Sequence, residues 1–183
     1  MVTSDVLQTF EDVRSRLFAR LDGLTDEEYL WQPVPDCMTL RPEAAGIFRA
    51  DPRPRQEPNP APFTTIGWRM WHIGADCLRS YGRFFTGAPD EEWYEWPGTA
   101  KEGTEMLAAD WSRFIGQVEA LGDERLLRPM GEFGGPFADE SYLLLALHAL
   151  DEVAHHGAEI GTVRDLYVHR FPAGPTGAGP AGS

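Results

Sequence analysis

Basic side chains are scarce in this chain. Among 183 residues, 16 Lys and Arg stand against 29 Asp and Glu, a formal net charge of −13. Non-specific binding to nucleic acid or to anionic lipid needs clustered Lys and Arg to neutralise phosphates, so neither partner is expected. Long apolar runs are also missing: no stretch of 18 or more apolar residues occurs, and a membrane span is not expected. The opening Met1-Val2-Thr3-Ser4-Asp5 has neither the basic start nor the apolar stretch of a secretion signal. Cysteine is nearly absent. Cys37 and Cys77 are too few for a disulfide scaffold or a thiolate zinc site. The expectation is a reduced, cytoplasmic, single-domain protein, long enough to bury a core.

What is present is helical patterning. Val6, Phe10, Val13, Leu17, Leu21 and Leu24 recur at steps of three and four, the stripe of an amphipathic helix. Thr25 and Glu28 have capping-box spacing, which predicts a short helical turn through Tyr29-Leu30-Trp31, stopped by Pro33 and Pro35. Five prolines between Asp51 and Pro62 make that stretch a loop. Thr64 or Thr65 can cap a second helix from Ile66 to Phe85, apolar on most sides and ended by Gly87 and Pro89. The aromatic, acidic stretch 91–98 reads as a loop in which Trp93 and Trp96 are anchors, with a ligand mouth as the other option. Thr99 and Glu102 offer a capping box for a third helix bearing Leu107, Trp111, Phe114, Val118 and Leu121 on one face. After a Gly-rich turn, 131–136, a fourth helix is predicted from Glu140 to Tyr167. No strand alternation stands out. The pattern predicts an all-α, antiparallel four-helix bundle with long inter-helix loops over residues 1–170. The Gly/Pro/Ala-rich tail, 171–183, is expected to be disordered.

The fourth helix carries a polar cluster: His148, Glu152, His155, His156 and Glu159. With His148 at zero and 100° per residue, Glu159 falls near roughly 20°, Glu152 near 40° and His156 near 80°. Leu145, Ala149, Ile160 and Val163 fill roughly 60° to 120°. His156 therefore points into the apolar sector, Glu152 borders it and His155 leans away. Glu152 and His156 stand at i, i+4, which brings both side chains onto one face. That spacing suits a shared divalent metal, as in helical His-x-x-x-His sites, because imidazole and carboxylate both ligate Zn²⁺, Ni²⁺ or Fe²⁺. It equally suits a helix-stabilising pair or a satisfied core histidine. His72 on helix two has Arg69 and Asp76 as helical neighbours. Its periodicity points to solvent rather than to the core. Asp76 is placed to orient its ring.

Three segments together resemble a known family. They are Trp31-Gln32-Pro33, the run Thr64-Thr65-Ile66-Gly67-Trp68-Arg69-Met70-Trp71-His72-Ile73, and Glu152-Val153-Ala154-His155-His156-Gly157-Ala158-Glu159-Ile160-Gly161 followed by Arg164-Asp165-Leu166-Tyr167. This set resembles the DinB-like superfamily, named for DNA-damage-inducible proteins, and in particular its actinobacterial-type members. The resemblance implies a four-helix bundle with an unusual connection order and a metal site near one end. It implies one metal-binding histidine at His72 and another at His156. Glu152 stands where the family places a third histidine, a departure that still leaves a two-histidine, one-carboxylate set.

The resemblance further implies a thiol-dependent S-transferase or isomerase that uses mycothiol, bacillithiol or a glutathione-like thiol on a small electrophile. An open position on the metal lowers the pKa of the thiol. His155, Glu159 or His148 would then carry protons or orient ligands. Two other readings stand beside it. One is a non-catalytic small-molecule-binding or dimerising bundle, its polar cluster fixing the packing. The other is a metal-dependent hydrolase with water in place of the thiol. A homodimer is an open option. Cys77 is expected in the core, and Cys37 in a loop without an activating base. Arg164 and Asp165 are expected to pair or cap, and His169 to be solvated.

Overall fold

The computed structural model describes residues 1–43, 47–54, 56, 58–89, 91 and 93–170. The tail expected to be disordered, 171–183, lies outside the described residues. Four long helices make the body. α1 (Val2–Leu21) buries Val6, Phe10, Val13, Leu17 and Leu21, the predicted stripe. α2 (Asp26–Leu30) starts at the predicted capping box: Thr25 Oγ1 accepts from Glu28 N at 3.2 Å, and the Glu28 carboxylate accepts from Thr25 N at 2.9 Å.

The second long helix is composite. α3 (Ile66–Trp71) is capped by Thr65, whose hydroxyl accepts from Trp68 N. It runs into a π-helical segment, His72–Arg79, and then α4 (Ser80–Thr86). Gly87, at φ 71°, ends it in the left-handed conformation that glycine adopts without penalty. α5 (Ala100–Leu126) buries Leu107, Trp111, Phe114, Val118 and Leu121 as predicted, and kinks at Gly122. A 3₁₀ segment, Gly131–Phe137, leads to α6 (Tyr142–Arg170).

The chain directions differ from a simple antiparallel bundle. Thr3 N donates to Asp123 Oδ1, and Phe10 meets Trp111 and Phe114, so α1 runs antiparallel to α5. Leu17 lies under Gly157 and Arg20 donates to the Gly161 carbonyl, so α1 runs parallel to α6. The composite helix is parallel to α5, with Gly74 against Asp110 and Gly82 against Gln117. It is antiparallel to α6, with Arg69 at Glu159, Tyr81 at His148 and Phe85 at Tyr142. The four helices thus run up, down, down, up. This corrects the antiparallel expectation: α4 and α5 follow one another in sequence and run in the same direction.

The structure also has strands, which the sequence reading did not find. β1 (Leu40–Pro42), β2 (Phe48–Ala50) and β3 (Glu95–Trp96) form an antiparallel sheet in the order β1-β2-β3, with Leu40 opposite Ala50 and Phe48 opposite Trp96. Two or three residues are too few to show a period of two. Trp96 is buried and closes on Gly74 so tightly that a Cβ there would lie 2.5 Å from its ring. The sheet therefore clamps Glu95–Trp96 to the composite helix. Among the described residues, no helix is long and apolar enough to cross a membrane.

Candidate metal centre

The composite helix and α6 meet polar face to polar face. His72, at the start of the π segment, and Glu152 and His156, one turn apart on α6, bring one ligand atom each within 4.8 Å of one another. His72 Nε2 lies 3.3 Å from Glu152 Oε2, and His156 Nε2 lies 3.2 Å from the same oxygen. The other ring nitrogens face carboxylates: His72 Nδ1 is 2.8 Å from Asp76 Oδ2, and His156 Nδ1 is 2.7 Å from Glu159 Oε2. An ionised carboxylate only accepts, so a neutral His72 or His156 that keeps its proton on Nδ1 turns the Nε2 lone pair toward Glu152, whereas a doubly protonated ring donates to Glu152 as well. With both rings neutral, three electron-pair donors converge on one point. Such an arrangement calls for a cation or for extra protons.

The titration behaviour fits. Hydrogen bonds from His156 and His72 hold the Glu152 carboxyl well below the usual carboxylate range, against the opposing effect of burial. Burial pushes His156 down, but its bonds to Glu152 and Glu159 outweigh this and leave it raised. Burial pushes Glu159 up, yet His156 and Arg69 leave it lowered. The donor set, two imidazoles and one carboxylate, suits Zn²⁺, Fe²⁺ or Ni²⁺. Carboxylates on both Nδ1 atoms are the usual means of fixing the tautomer and aim of ligating histidines.

Around this core, the Trp68 ring stacks on His72 with centroids 5.4 Å apart and planes 13° from parallel. Arg69 Nε lies 2.8 Å from Glu159 Oε2. Arg53, from the Pro-rich loop, places Nε 3.1 Å from Asp76 Oδ2. Each orienting carboxylate thus has its own arginine. Sequence reasoning placed Arg69 and Asp76 on the face of His72 and gave Asp76 its orienting role, but it assigned no role to Arg69 and did not find Arg53, which comes from a distant loop.

His72 itself is a correction. Its periodicity pointed to solvent, yet it is only 4% exposed. The stripe Arg69–His72–Asp76 is polar as read, but it faces the polar stripe of α6 rather than water. The expected proton carriers are placed as follows. His155 is exposed, with Nε2 3.3 Å from Glu159 Oε1. Glu159 links it to His156 and Arg69. His155, His156 and Glu159 also form a second group with metal-ligand spacing. His148 stands off, its Nε2 4.0 Å from Glu152 Oε1 and its ring stacked on Tyr81.

The remaining candidates are structural. Cys77 is buried in the core, and burial raises its thiol well above the ordinary value. Cys37, read as a loop residue, is buried too and donates to the Val34 carbonyl. Trp96 anchors β3 to the composite helix, while the Trp93 carbonyl accepts from Trp71 Nε1 at 2.6 Å. Arg164 caps α1 through the carbonyls of Arg20 and Asp22 and pairs with Glu28, whereas Asp165 pairs with Arg20. His169 is exposed.

Fold and centre together define a class: a bundle running up, down, down, up that gathers two histidines and a glutamate between its second and fourth long helices. The chain belongs to the DinB superfamily, whose family model matches residues 9–160. No curated protein and no solved structure matches it significantly.

Proposed function

We propose that the protein is a metal-dependent enzyme in which His72, Glu152 and His156 hold a divalent cation, Zn²⁺, Ni²⁺ or Fe²⁺, and a low-molecular-weight thiol of the mycothiol type attacks a small electrophile, as an S-transferase or isomerase. The convergence of His72 Nε2, His156 Nε2 and Glu152 Oε2, with both Nδ1 atoms on carboxylates, carries this reading. A cation held there supplies Lewis acidity that lowers the pKa of an adjacent thiol. Asp76 and Glu159 keep the two imidazoles aimed. His155, solvent-exposed beside Glu159, takes the proton of the incoming thiol and returns it to water. The Glu152 side chain is 24% exposed, which leaves the cluster an open side for a small molecule. The resemblance to thiol-dependent members of the superfamily supports the choice of thiol over water.

The test is elemental analysis of protein purified without an affinity tag, beside Glu152→Ala and His156→Ala. Near-stoichiometric metal lost in both variants is expected. Metal that is substoichiometric and unchanged by either substitution would sink the metal reading. Thiol consumption with a general electrophile then separates a transferase from a hydrolase, which would turn over an ester without any thiol.

A further inference from the structure

Tyr81 follows His72 by nine residues. On an unbroken α-helix, nine steps of about 100° would set it on the opposite side of the helix from His72. The π segment His72–Arg79 takes about one residue more per turn, which rotates Tyr81 back toward α6; such segments are frequent at functional sites. There its ring stacks on His148, with centroids 5.5 Å apart and planes 22° from parallel. His148 precedes Glu152 by one turn of α6. The two rings thus form a wall next to the His/Glu/His cluster, on the side where His148 is exposed. Among the described residues the Tyr81 hydroxyl has no hydrogen-bond partner, although its ring is half-buried. Burial first, and then the neighbouring Cys77, Glu152 and Asp76, raise this phenol far above its ordinary value, so it stays protonated and serves only as a neutral donor.

We propose that Tyr81 is a hydrogen-bond donor of the site, its hydroxyl receiving the carbonyl-type oxygen of the electrophile, which makes conjugated carbonyl compounds the substrate class. The proposal rests on the thiol reading for its chemistry, though not for its donor geometry. In the step, the thiol proton goes to His155. The sulfur forms a bond to the β-carbon, and the C=C pair shifts until negative charge rests on the carbonyl oxygen. The Tyr81 O–H donates to that oxygen. Water protonates the α-carbon and His155 passes its proton to the hydroxide, so thiol and enone sum to the adduct with no leaving group. A donor aimed at developing oxygen charge is the usual means of stabilising such a step.

The test uses Tyr81→Phe, which keeps the ring on His148, in zinc-loaded protein. Titration with 4-nitrophenolate, an inert oxyanion, reads the donor directly. The wild type is expected to bind it with a displaced absorption band, and Tyr81→Phe at least fivefold more weakly with the displacement diminished. Thiol consumption with an enone is expected to fall about 10²-fold in the variant, and with an iodoalkane, which develops no oxygen charge, less than twofold. Equal nitrophenolate binding by both proteins, no binding by either, or equal enone rates would overturn the proposal. A wild type inactive on both electrophiles, with the nitrophenolate difference intact, refutes the thiol reading and supports the donor.

Discussion

His72 and Glu152 meet across two helices, with the imidazole Nε2 3.3 Å from the carboxylate Oε2. Glu152 and His156 alone are an i, i+4 pair of the kind that many helices carry. The third group, from an antiparallel neighbour about 80 residues away in sequence, makes a chelating set of them. The composite helix is buried on nearly every side, so its polar stripe is costly unless matched. α6 matches Arg69 with Glu159 and His72 with Glu152, while Arg53 from the loop matches Asp76.

Metal affinity should depend on residues that do not touch the metal. Asp76 accepts from His72 Nδ1 and is itself held by Arg53. Asp76→Asn removes the charge and loosens the tautomer, and losses at this position are typically about 10- to 100-fold in affinity. Competition with a chromophoric chelator measures it. An unchanged dissociation constant would mean that His72 is not a ligand.

The metal-free and metal-loaded proteins should diverge in stability as pH rises. Glu152 is lowered in the fold by His156 and His72, so its stabilisation is present above its ordinary 4.5 and lost as pH falls through the lowered value. His156 is raised, its bonds to Glu152 and Glu159 outweighing burial. Its stabilisation is present below its ordinary 6.5 and lost as pH rises through the raised value. Chelator-treated protein should therefore melt lower as pH rises from about 6 to 8. Metal binding displaces protons and strengthens over the same interval, so the Tm difference between loaded and stripped protein should widen. Calorimetry across that range, with and without chelator, checks both slopes.

The stripes of α1 and α5 were legible in the sequence because each is a long helix with one apolar face, where a period of 3.6 has room to repeat; on α6 Ala149, Val153, Ile160 and Val163 are buried, but Leu144, Leu147 and Leu166 are exposed, so its apolar residues do not mark one face. Thr25 and Glu28, and Thr65 as a cap, were legible because capping is local. Leu40–Pro42 and Phe48–Ala50 were not, since a sheet of three-residue strands depends on partners distant in the chain. His72 was misplaced because periodicity shows that a face is polar and not what that face meets. The α6 half of the cluster, Glu152 with His156, was readable from spacing. The His72 half emerged only from the family resemblance, and the π segment that turns Tyr81 toward α6 left no mark in the pattern.

The clamp between Trp96 and the composite helix predicts a strong effect at Gly74. A Cβ there would lie 2.5 Å from the Trp96 ring and 3.3 Å from Asp110 Oδ2. Neither can yield readily: Trp96 is buried, and Asp110 is fixed by Arg79 and Arg113. Gly74→Ala should cost about 1–3 kcal/mol through overpacking. A lowered denaturant midpoint with unchanged slope is the expected result.

Arg164 ties three elements together at the end of the bundle beyond the cluster. Its Nη1 donates to the carbonyls of Arg20 and Asp22, satisfying the C-terminal end of α1, and its Nε donates to Glu28 Oε1 at 3.2 Å. Glu28 is only 5% exposed. Arg164→Met leaves that carboxylate buried with one fewer partner, and breaking a buried pair typically costs about 3–5 kcal/mol. The remaining bond from Thr25 N to Glu28 places the expectation near the lower end of that range. Glu28→Gln in the Arg164→Met background should recover part of the loss, because the unpaired charge is gone. None of these atoms belongs to the His72–Glu152–His156 cluster, so metal content should stay at the wild-type level while the unfolding midpoint drops. Metal lost along with stability would show that the Arg164 clasp and the cluster unfold as one unit.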